Sequence, residues 1–341
     1  MSTETRNQIA MQVEGLRVHY RTERGPVRAV ENIDFELHPG ERLGLVGESG
    51  SGKSTTAMAL MRLIQPPGYI EGGRIKFGDL ELLSLSEEEM RCMRFSQISL
   101  IPQGVMNSLN PVMRVGAQIA DTIAAHEEQP PHSEVQERVR NLLELVELEP
   151  ATARMYPHEL SGGMKQRLGM AIAVALRPKI IIADEPTSAL DVVVQKQVMD
   201  TLFHVQQNLG AAIILVGHDM GLMAQCVDRI GVMYAGRLVE IGSVRRLFAE
   251  PLHPYTRMLV SSLPSLERKG VFRGISGLTP SLLDPLPGCP FQPRCPEALA
   301  ACTAEMPQLD VVPETAIAGS DENPASSERR AACHLHSGDR S

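Results

Sequence analysis

Runs of alternating and continuous apolar residues divide the chain into short elements. Met11 to Tyr20 and Val27 to Leu37 read as two strands of an opening hairpin, joined by the charged turn Arg21 to Pro26. Arg42 to Val46 is apolar apart from Arg42 and Gly44 and predicts a buried strand, and Thr55 to Ile64 predicts an amphipathic helix. Gly72 to Phe77 is another strand. Ser86 to Cys92 begins a helix, with Ser84 or Ser86 as cap and glutamates in its first turn. Ile98 to Ile101 is a short strand ending at Pro102-Gln103. From Asn110 to about Arg154 the texture turns helical. Val115 to Ala125 and Glu134 to Leu148 carry apolar residues at helical spacing, and Gln129-Pro130-Pro131 breaks the run between them. This predicts a helical subdomain, at about residues 110–175, inserted into an α/β core. Then come a helix Met164 to Leu176, a buried strand Lys179 to Glu185, a helix Val192 to Asn208 and a buried strand Ala212 to Val216. A hairpin, Ile230 to Tyr234 and Arg237 to Ile241, and short helices near Val244 to Ala249 and Tyr255 to Ser261 close the core.

Several junctions between these elements carry chemistry. Gly47-Glu48-Ser49-Gly50-Ser51-Gly52-Lys53-Ser54 matches the P-loop pattern in full and lies between a strand and a helix. Gly50 and Gly52 allow the tight bend that points successive N–H groups at phosphate oxygens. The helix start near Lys53 adds its positive dipole end. Lys53 would reach the β- and γ-phosphates, and the Ser54 hydroxyl would ligate Mg²⁺. Asp184 and Glu185 end a buried strand, where ligands bind in open α/β sheets. Asp184 suits Mg²⁺ and Glu185 suits polarising a water; their bland alternative is a solvated turn. Ser161 is a plausible N-cap, and Ser161-Gly162-Gly163 makes a second anion-binding helix end or simply a capped helix. Tyr20 is either a half-buried strand aromatic or a platform for a purine base. Gln103 and His218 each follow a strand end; each is a surface residue or a phosphate-site residue.

Bulk properties narrow the class. The 341-residue chain is 43% hydrophobic with no Trp and a net charge of −8. It has no Lys/Arg-rich block, so the electrostatic footprint of a nucleic-acid binder is missing. Met1 to Ala10 is polar and lacks a signal peptide's apolar stretch, and no segment approaches the roughly 20 apolar residues that span a bilayer. These features predict a soluble, cytoplasmic chain that serves any membrane by docking to another subunit. Of six cysteines, Cys289, Cys295, Cys302 and Cys333 crowd into the last 53 residues, which raises metal binding as an alternative to disulfides.

Six motifs stand in one order: P-loop, Gln103 loop, Leu160-Ser161-Gly162-Gly163, Asp184-Glu185, Ser188-Ala189-Leu190-Asp191 and His218. Over residues 10–262 this resembles the nucleotide-binding subunit of an ABC transporter. The resemblance implies a P-loop NTPase cassette: a RecA-like core, an antiparallel β subdomain and an inserted helical subdomain. Two cassettes would pair head to tail, with ATP between the P-loop (Gly47, Ser49, Gly50, Ser51, Gly52, Lys53, Ser54, Thr55) of one and Ser161-Gly162-Gly163 of the other. Gln103 would contact Mg²⁺ and the attacking water. Glu185 would be the catalytic base, and His218 would hold the γ-phosphate. Asp191 would link the two sites, and Tyr20 falls at the family's adenine-stacking position. Gly104 stands where an acidic or polar residue is expected, a departure that does not disable the site. A soluble ABC ATPase of DNA repair or translation would show a basic groove, a coiled-coil insertion or tandem cassettes, and a purely regulatory module would lack Glu185 and His218. Neither description fits.

The tail, 263–341, holds Gly277-Leu278-Thr279-Pro280-Ser281, Pro287-Gly288-Cys289-Pro290-Phe291, Arg294-Cys295-Pro296, Cys302 and Cys333-His334-Leu335. With Pro251-Leu252-His253-Pro254-Tyr255-Thr256, it resembles the C-terminal extension of oligopeptide/dipeptide-type importer ATPases. That resemblance implies uptake of di- or oligopeptides, with nickel, opines or oligosaccharides as alternatives. It also implies two transmembrane permease subunits, a substrate-binding protein, a second and homologous ATPase subunit, and a peripheral place on the cytoplasmic face of the membrane. Some members of that family hold a [4Fe-4S] cluster on such cysteines, and four thiolates suit one. Zinc is the alternative, although gaps of five, six and thirty residues are wider than zinc pairs usually show, and no metal is the third.

Overall fold

The computed structural model describes residues 9–128, 130–188, 190–263, 275–284, 286–312 and 328–336. Most of the polar N-terminal stretch, Gln129 of the helix break, Ala189 of the Ser-Ala-Leu-Asp motif and parts of the tail lie outside the described residues. In chain order the first elements are β1 (Met11–Thr22), β2 (Gly25–Leu37), β3 (Arg42–Val46), α1 (Lys53–Leu60), β4 (Gly68–Phe77), β5 (Leu80–Glu81), α2 (Glu87–Met93) and β6 (Ile98–Ile101). They are followed by α3 (Val105–Ser108), α4 (Val115–Ala124), α5 (His132–Leu145), α6 (Gly162–Ala173), β7 (Ile180–Asp184), α7 (Val192–Leu209) and β8 (Ala212–Val216). The last are α8 (Met220–Cys226), β9 (Arg229–Tyr234), β10 (Arg237–Ser243), α9 (Val244–Ala249), α10 (Pro254–Ser261), α11 (Ala301–Ala304), β11 (Asp310–Val311) and β12 (Arg330–Ala331).

Two compact units form. The first comprises residues 1–37, 42–80 and 216–341; the second comprises 38–41 and 81–215. In the first unit, β1 pairs antiparallel with both β2 and β4. One face of this sheet is fully buried through Met11, Leu16, Val18, Ile33, Leu37 and Ile75, which is the alternation that the sequence shows. In the same unit β3 pairs parallel with β9, β9 antiparallel with β10, and the tail adds β12 to β10 and β11 to β12. The tail is therefore built into a sheet of this unit. Arg329 anchors it: its guanidinium donates to Glu240 Oε1 at 2.9 Å, with side chains 7% and 0% exposed.

In the second unit, β6 and β7 run parallel, with Ile98 opposite Ile180 and Ile101 opposite Ala183. Both strands are almost wholly apolar and buried, as parallel strands covered on two faces must be. The helical part follows its sequence periodicity. Val115, Ile119 and Ile123 line one face of α4, and Val135, Val139, Leu142 and Leu143 line one face of α5. Ser86 caps α2 in a reciprocal capping box with Glu89, which selects Ser86 over Ser84.

Several boundaries differ from the sequence reading. α1 ends at Leu60 rather than Ile64, since Arg62 turns to φ 51° and Pro66-Pro67 follow. β4 begins at Gly68 rather than Gly72; Gly72 and Gly73 interrupt the pattern in sequence while the ladder to β1 continues through a register shift. α6 ends at Ala173 rather than Leu176. Among the described residues, no helix is long and apolar enough to cross a membrane.

Candidate nucleotide site

In the first unit the P-loop leaves the buried end of β3 and enters α1. Gly47 and Gly52 are required by space and by backbone. Gly47 has φ 152° and a Cβ there would lie 2.1 Å from the Met233 carbonyl oxygen; Gly52 has φ 99° and its Cβ would lie 2.4 Å from the Ala29 carbonyl oxygen. Gly52 is the N-cap of α1, so the first N–H groups of that helix carry no side-chain cap. Lys53 is 6% exposed. Its Nζ donates to the Gly47 and Glu48 carbonyls, both at 2.9 Å, and to Ser51 Oγ at 3.2 Å. The ammonium is thus held inside the curl of the loop, and N–H groups plus one fixed cation make an anion receptor. Ser49 and Gly50 are exposed, and Ser54 and Thr55 half-buried. Tyr20, half-buried near the end of β1, lies against Gly68 of β4. His218 is exposed just past β8, and Asp219 caps α8 through Leu222 N at 2.9 Å.

In the second unit, the parallel pairing of β6 and β7 sets the loops after both strand ends side by side. Gln103 and Glu185 leave those ends, and Gln103 Nε2 donates to Glu185 Oε2 at 2.9 Å. The sequence singled out both residues separately; the register explains why they meet. Glu185 has φ 44°, a left-handed backbone that a non-glycine residue rarely adopts. Asp184, one residue earlier, is 6% exposed. Ser161 caps α6, its hydroxyl accepting from Met164 N at 3.3 Å. Gly163 lies against Val194 of α7. Asp191 caps α7, its Oδ1 accepting from Val193 N and Val194 N, each at 3.1 Å. Behind that cap Val192 and Val193 are 81% and 69% exposed.

The donors expected at Mg²⁺ (Ser54 hydroxyl, Gln103 amide oxygen and Asp184 carboxylate) are hard oxygen ligands of the kind that ion takes, so the residue types fit. The cysteines fit a metal less well. Cys289 N donates to the Cys302 carbonyl at 2.8 Å, which joins two of the four segments. Burial pushes the Cys289 and Cys333 thiols up to about 11, with the neighbouring cysteines adding to it, and raises Cys295 as well. Among the described residues, no group of three or more His, Cys, Asp or Glu is placed to hold a metal ion. The expected cluster therefore has no support in this conformation.

Comparison with known proteins identifies the family. Residues 30–188 match the ABC transporter family, and residues 239–302 match the oligopeptide/dipeptide transporter C-terminal region. The chain is 46% identical over 302 residues to the oligopeptide transport ATP-binding protein OppD of Salmonella typhimurium, covering 88% of this chain and 90% of that one. It is 40% identical over 301 residues to the dipeptide transport ATP-binding protein DppD of Bacillus subtilis, covering 87% and 90%. Among solved structures, a post-hydrolysis dimer of the ATP-binding cassette MJ0796 bound to ADP and Pi superposes with a TM-score of 0.62 at 25% identity, covering 69% of this chain and 99% of that one. The chain belongs to the ATP-binding subunits of ABC transporters, in the branch that carries the oligopeptide/dipeptide transporter C-terminal region.

Proposed function

We propose that this chain hydrolyses ATP to energise uptake of di- or oligopeptides through a separate membrane permease. The observation that carries this reading is a complete P-loop with its lysine held in the curl, in a chain 46% identical to a peptide-transport ATPase. The loop amides, the α1 N-terminus and Lys53 bind the phosphates, with Gly47 to Thr55 forming the cradle and Tyr20 stacking on the base. Ser54, Gln103 and Asp184 would hold Mg²⁺, which would supply charge neutralisation on the phosphates. Glu185, oriented by Gln103, takes the proton of the attacking water, and His218 steadies the γ-phosphate. Ser161, Gly162 and Gly163 of a partner cassette complete the site, and Asp191 lies at the junction.

On the same reading residues 10–262 are the cassette, with a helical subdomain at about 110–175, and 263–341 the extension. The partner cassette is a homologous chain. Two permease subunits and a substrate-binding protein complete the assembly, which this chain joins from the cytoplasmic face. Nickel, opines or oligosaccharides are the alternative cargo. A [4Fe-4S] cluster, or zinc, on Cys289, Cys295, Cys302 and Cys333 rests on the motif alone. Iron and zinc analysis after anaerobic purification decides it, and protein free of both metals ends it.

The test of the ATPase reading is Glu185→Gln in the reconstituted transporter. Turnover should fall by about 10²- to 10⁴-fold, the range a positioned general base supplies, while ATP binding and cassette pairing persist. Wild-type hydrolysis in that variant would remove Glu185 from its role.

A further inference from the structure

Glu48 occupies a position where the P-loop pattern accepts any residue, yet its carboxylate is held from the far end of the chain. Arg294 Nη1 donates to Glu48 Oε2 at 2.8 Å and Nη2 to Oε1 at 2.9 Å, a bidentate pair. The arginine side chain is 4% exposed. Its other N–H groups are also placed: Nη1 reaches Tyr234 Oη at 3.1 Å, Nη2 the Ile275 carbonyl at 3.0 Å, and Nε the Ser276 carbonyl at 3.0 Å. All five donors of the guanidinium are used. Gly277 follows at φ 90°, and a Cβ there would come within 3.1 Å of Arg294 Cγ, so residues 275–277 wrap closely around the side chain. Beneath it, the fully buried Phe291 packs edge-on to Tyr234 and tilted against Tyr255, with ring centroids at 5.2 and 5.3 Å. The Glu48 backbone is held as well: its N–H donates to Tyr255 Oη at 2.9 Å.

We propose that Arg294 is a positioning residue for the nucleotide site, through which the C-terminal segment fixes the first turn of the P-loop and sets its affinity for a nucleoside triphosphate. The inference rests on the ATPase reading above. Its physical basis is the cost of ordering a receptor. A loop with Gly47, Gly50 and Gly52 has a wide choice of backbone states, and phosphate binds only the one whose amides converge. A two-point clamp on Glu48, plus a hydroxyl on its N–H, holds that turn before the anion arrives, so less of the binding energy goes into ordering. The charge of Arg294 is taken up by Glu48, and it acts on nucleotide through the loop.

The test uses the full-length chain in its assembled transporter, with ATPase kinetics and equilibrium binding of a fluorescent ATP analogue, on Arg294→Gln, Arg294→Lys, Glu48→Gln and the Glu48→Gln/Arg294→Gln double variant. Arg294→Gln should raise KM for ATP and weaken analogue binding by about tenfold, equivalent to about 1.4 kcal/mol, with kcat near wild type. Arg294→Lys keeps the charge and loses the planar fork, and should fall between. The double variant should be no worse than the poorer single, since both changes break one pair. A KM within twofold of wild type in Arg294→Gln, or single effects that multiply in the double, would overturn the proposal. Should Arg294→Gln not fold, Arg294→Lys and Glu48→Gln decide on the same readouts. Lys53→Ala runs alongside: if it hydrolyses ATP normally the ATPase reading itself fails, whereas an inactive Lys53→Ala beside a wild-type-like Arg294→Gln rejects this inference alone.

Discussion

Glu185 shows what a single residue gives up for its position. Its φ of 44° costs on the order of 1–3 kcal/mol in a non-glycine residue. That backbone turns the chain sharply after Asp184 and delivers the carboxylate to Gln103. Glycine adopts the same backbone freely. Glu185→Gly should therefore unfold at a temperature no lower than wild type while turnover is lost, a separation that a thermal melt and an ATPase assay would read together. A melting temperature several degrees lower would show that the side chain is needed for stability. If Glu185 acts as the proposed base, Gln103→Ala should leave ATP affinity within a few-fold and lower kcat by about tenfold, because the carboxylate loses the hydrogen bond that orients it. Steady-state kinetics at saturating ATP measure it.

At the scale of elements, helix caps govern both chemistry and stability. α1 starts on a glycine with no side-chain cap, whereas α6 and α7 start on Ser161 and Asp191, whose side chains cap them. Gly52→Ala would place a Cβ against the Ala29 carbonyl and force a left-handed φ on alanine, so nucleotide binding should be lost in a chain that still folds. Circular dichroism and analogue binding distinguish the two. α10 carries a different cap. His253 is 1% exposed and its Nδ1 accepts from Tyr255 N at 3.0 Å, which requires the neutral ring. Burial, with the nearby Arg257 and His336 adding to it, depresses its pKa to about 3. The unfolded histidine binds a proton near pH 6.5, so the unfolded state takes up protons first as pH falls. The stability this ring supports is complete above pH 6.5 and declines between 6.5 and 3, by up to about 1.4 kcal/mol per pH unit. Urea midpoints at pH 7 and pH 5 should differ more in wild type than in His253→Asn, which keeps a capping oxygen without the titration.

At the scale of the whole molecule, legibility follows sequence distance. The P-loop, the Asp184-Glu185 strand end and the Ser161 cap are local patterns, each set by a few consecutive residues, and all could be read from sequence. Helix and strand ends were off where prolines and glycines intervened, as after Leu60 and before Gly72. The Gln103–Glu185 contact needs the register of two strands, and the Glu48–Arg294 pair spans 246 positions; no local signal encodes either. The tail's second anchor was hidden for the same reason. Glu240 is fully buried and also accepts from Leu252 N and His253 N, at 3.0 and 2.9 Å. Arg329→Met would strand that carboxylate and should cost about 3–5 kcal/mol by urea denaturation, much of it recovered in the Glu240→Gln/Arg329→Met double variant.

The added strand β12 has a consequence for how this protein can be cut down. The solved cassette MJ0796 is matched almost end to end by 69% of this chain. Ending the present chain near Ser262 would strip β10 of β12, uncover the aromatic rings of Tyr234 and Tyr255, and leave Glu240 without its cation. A minimal fragment ending near Ser262 should precipitate or require detergent, so the extension behaves as an integral wall of the enzyme rather than an appendage.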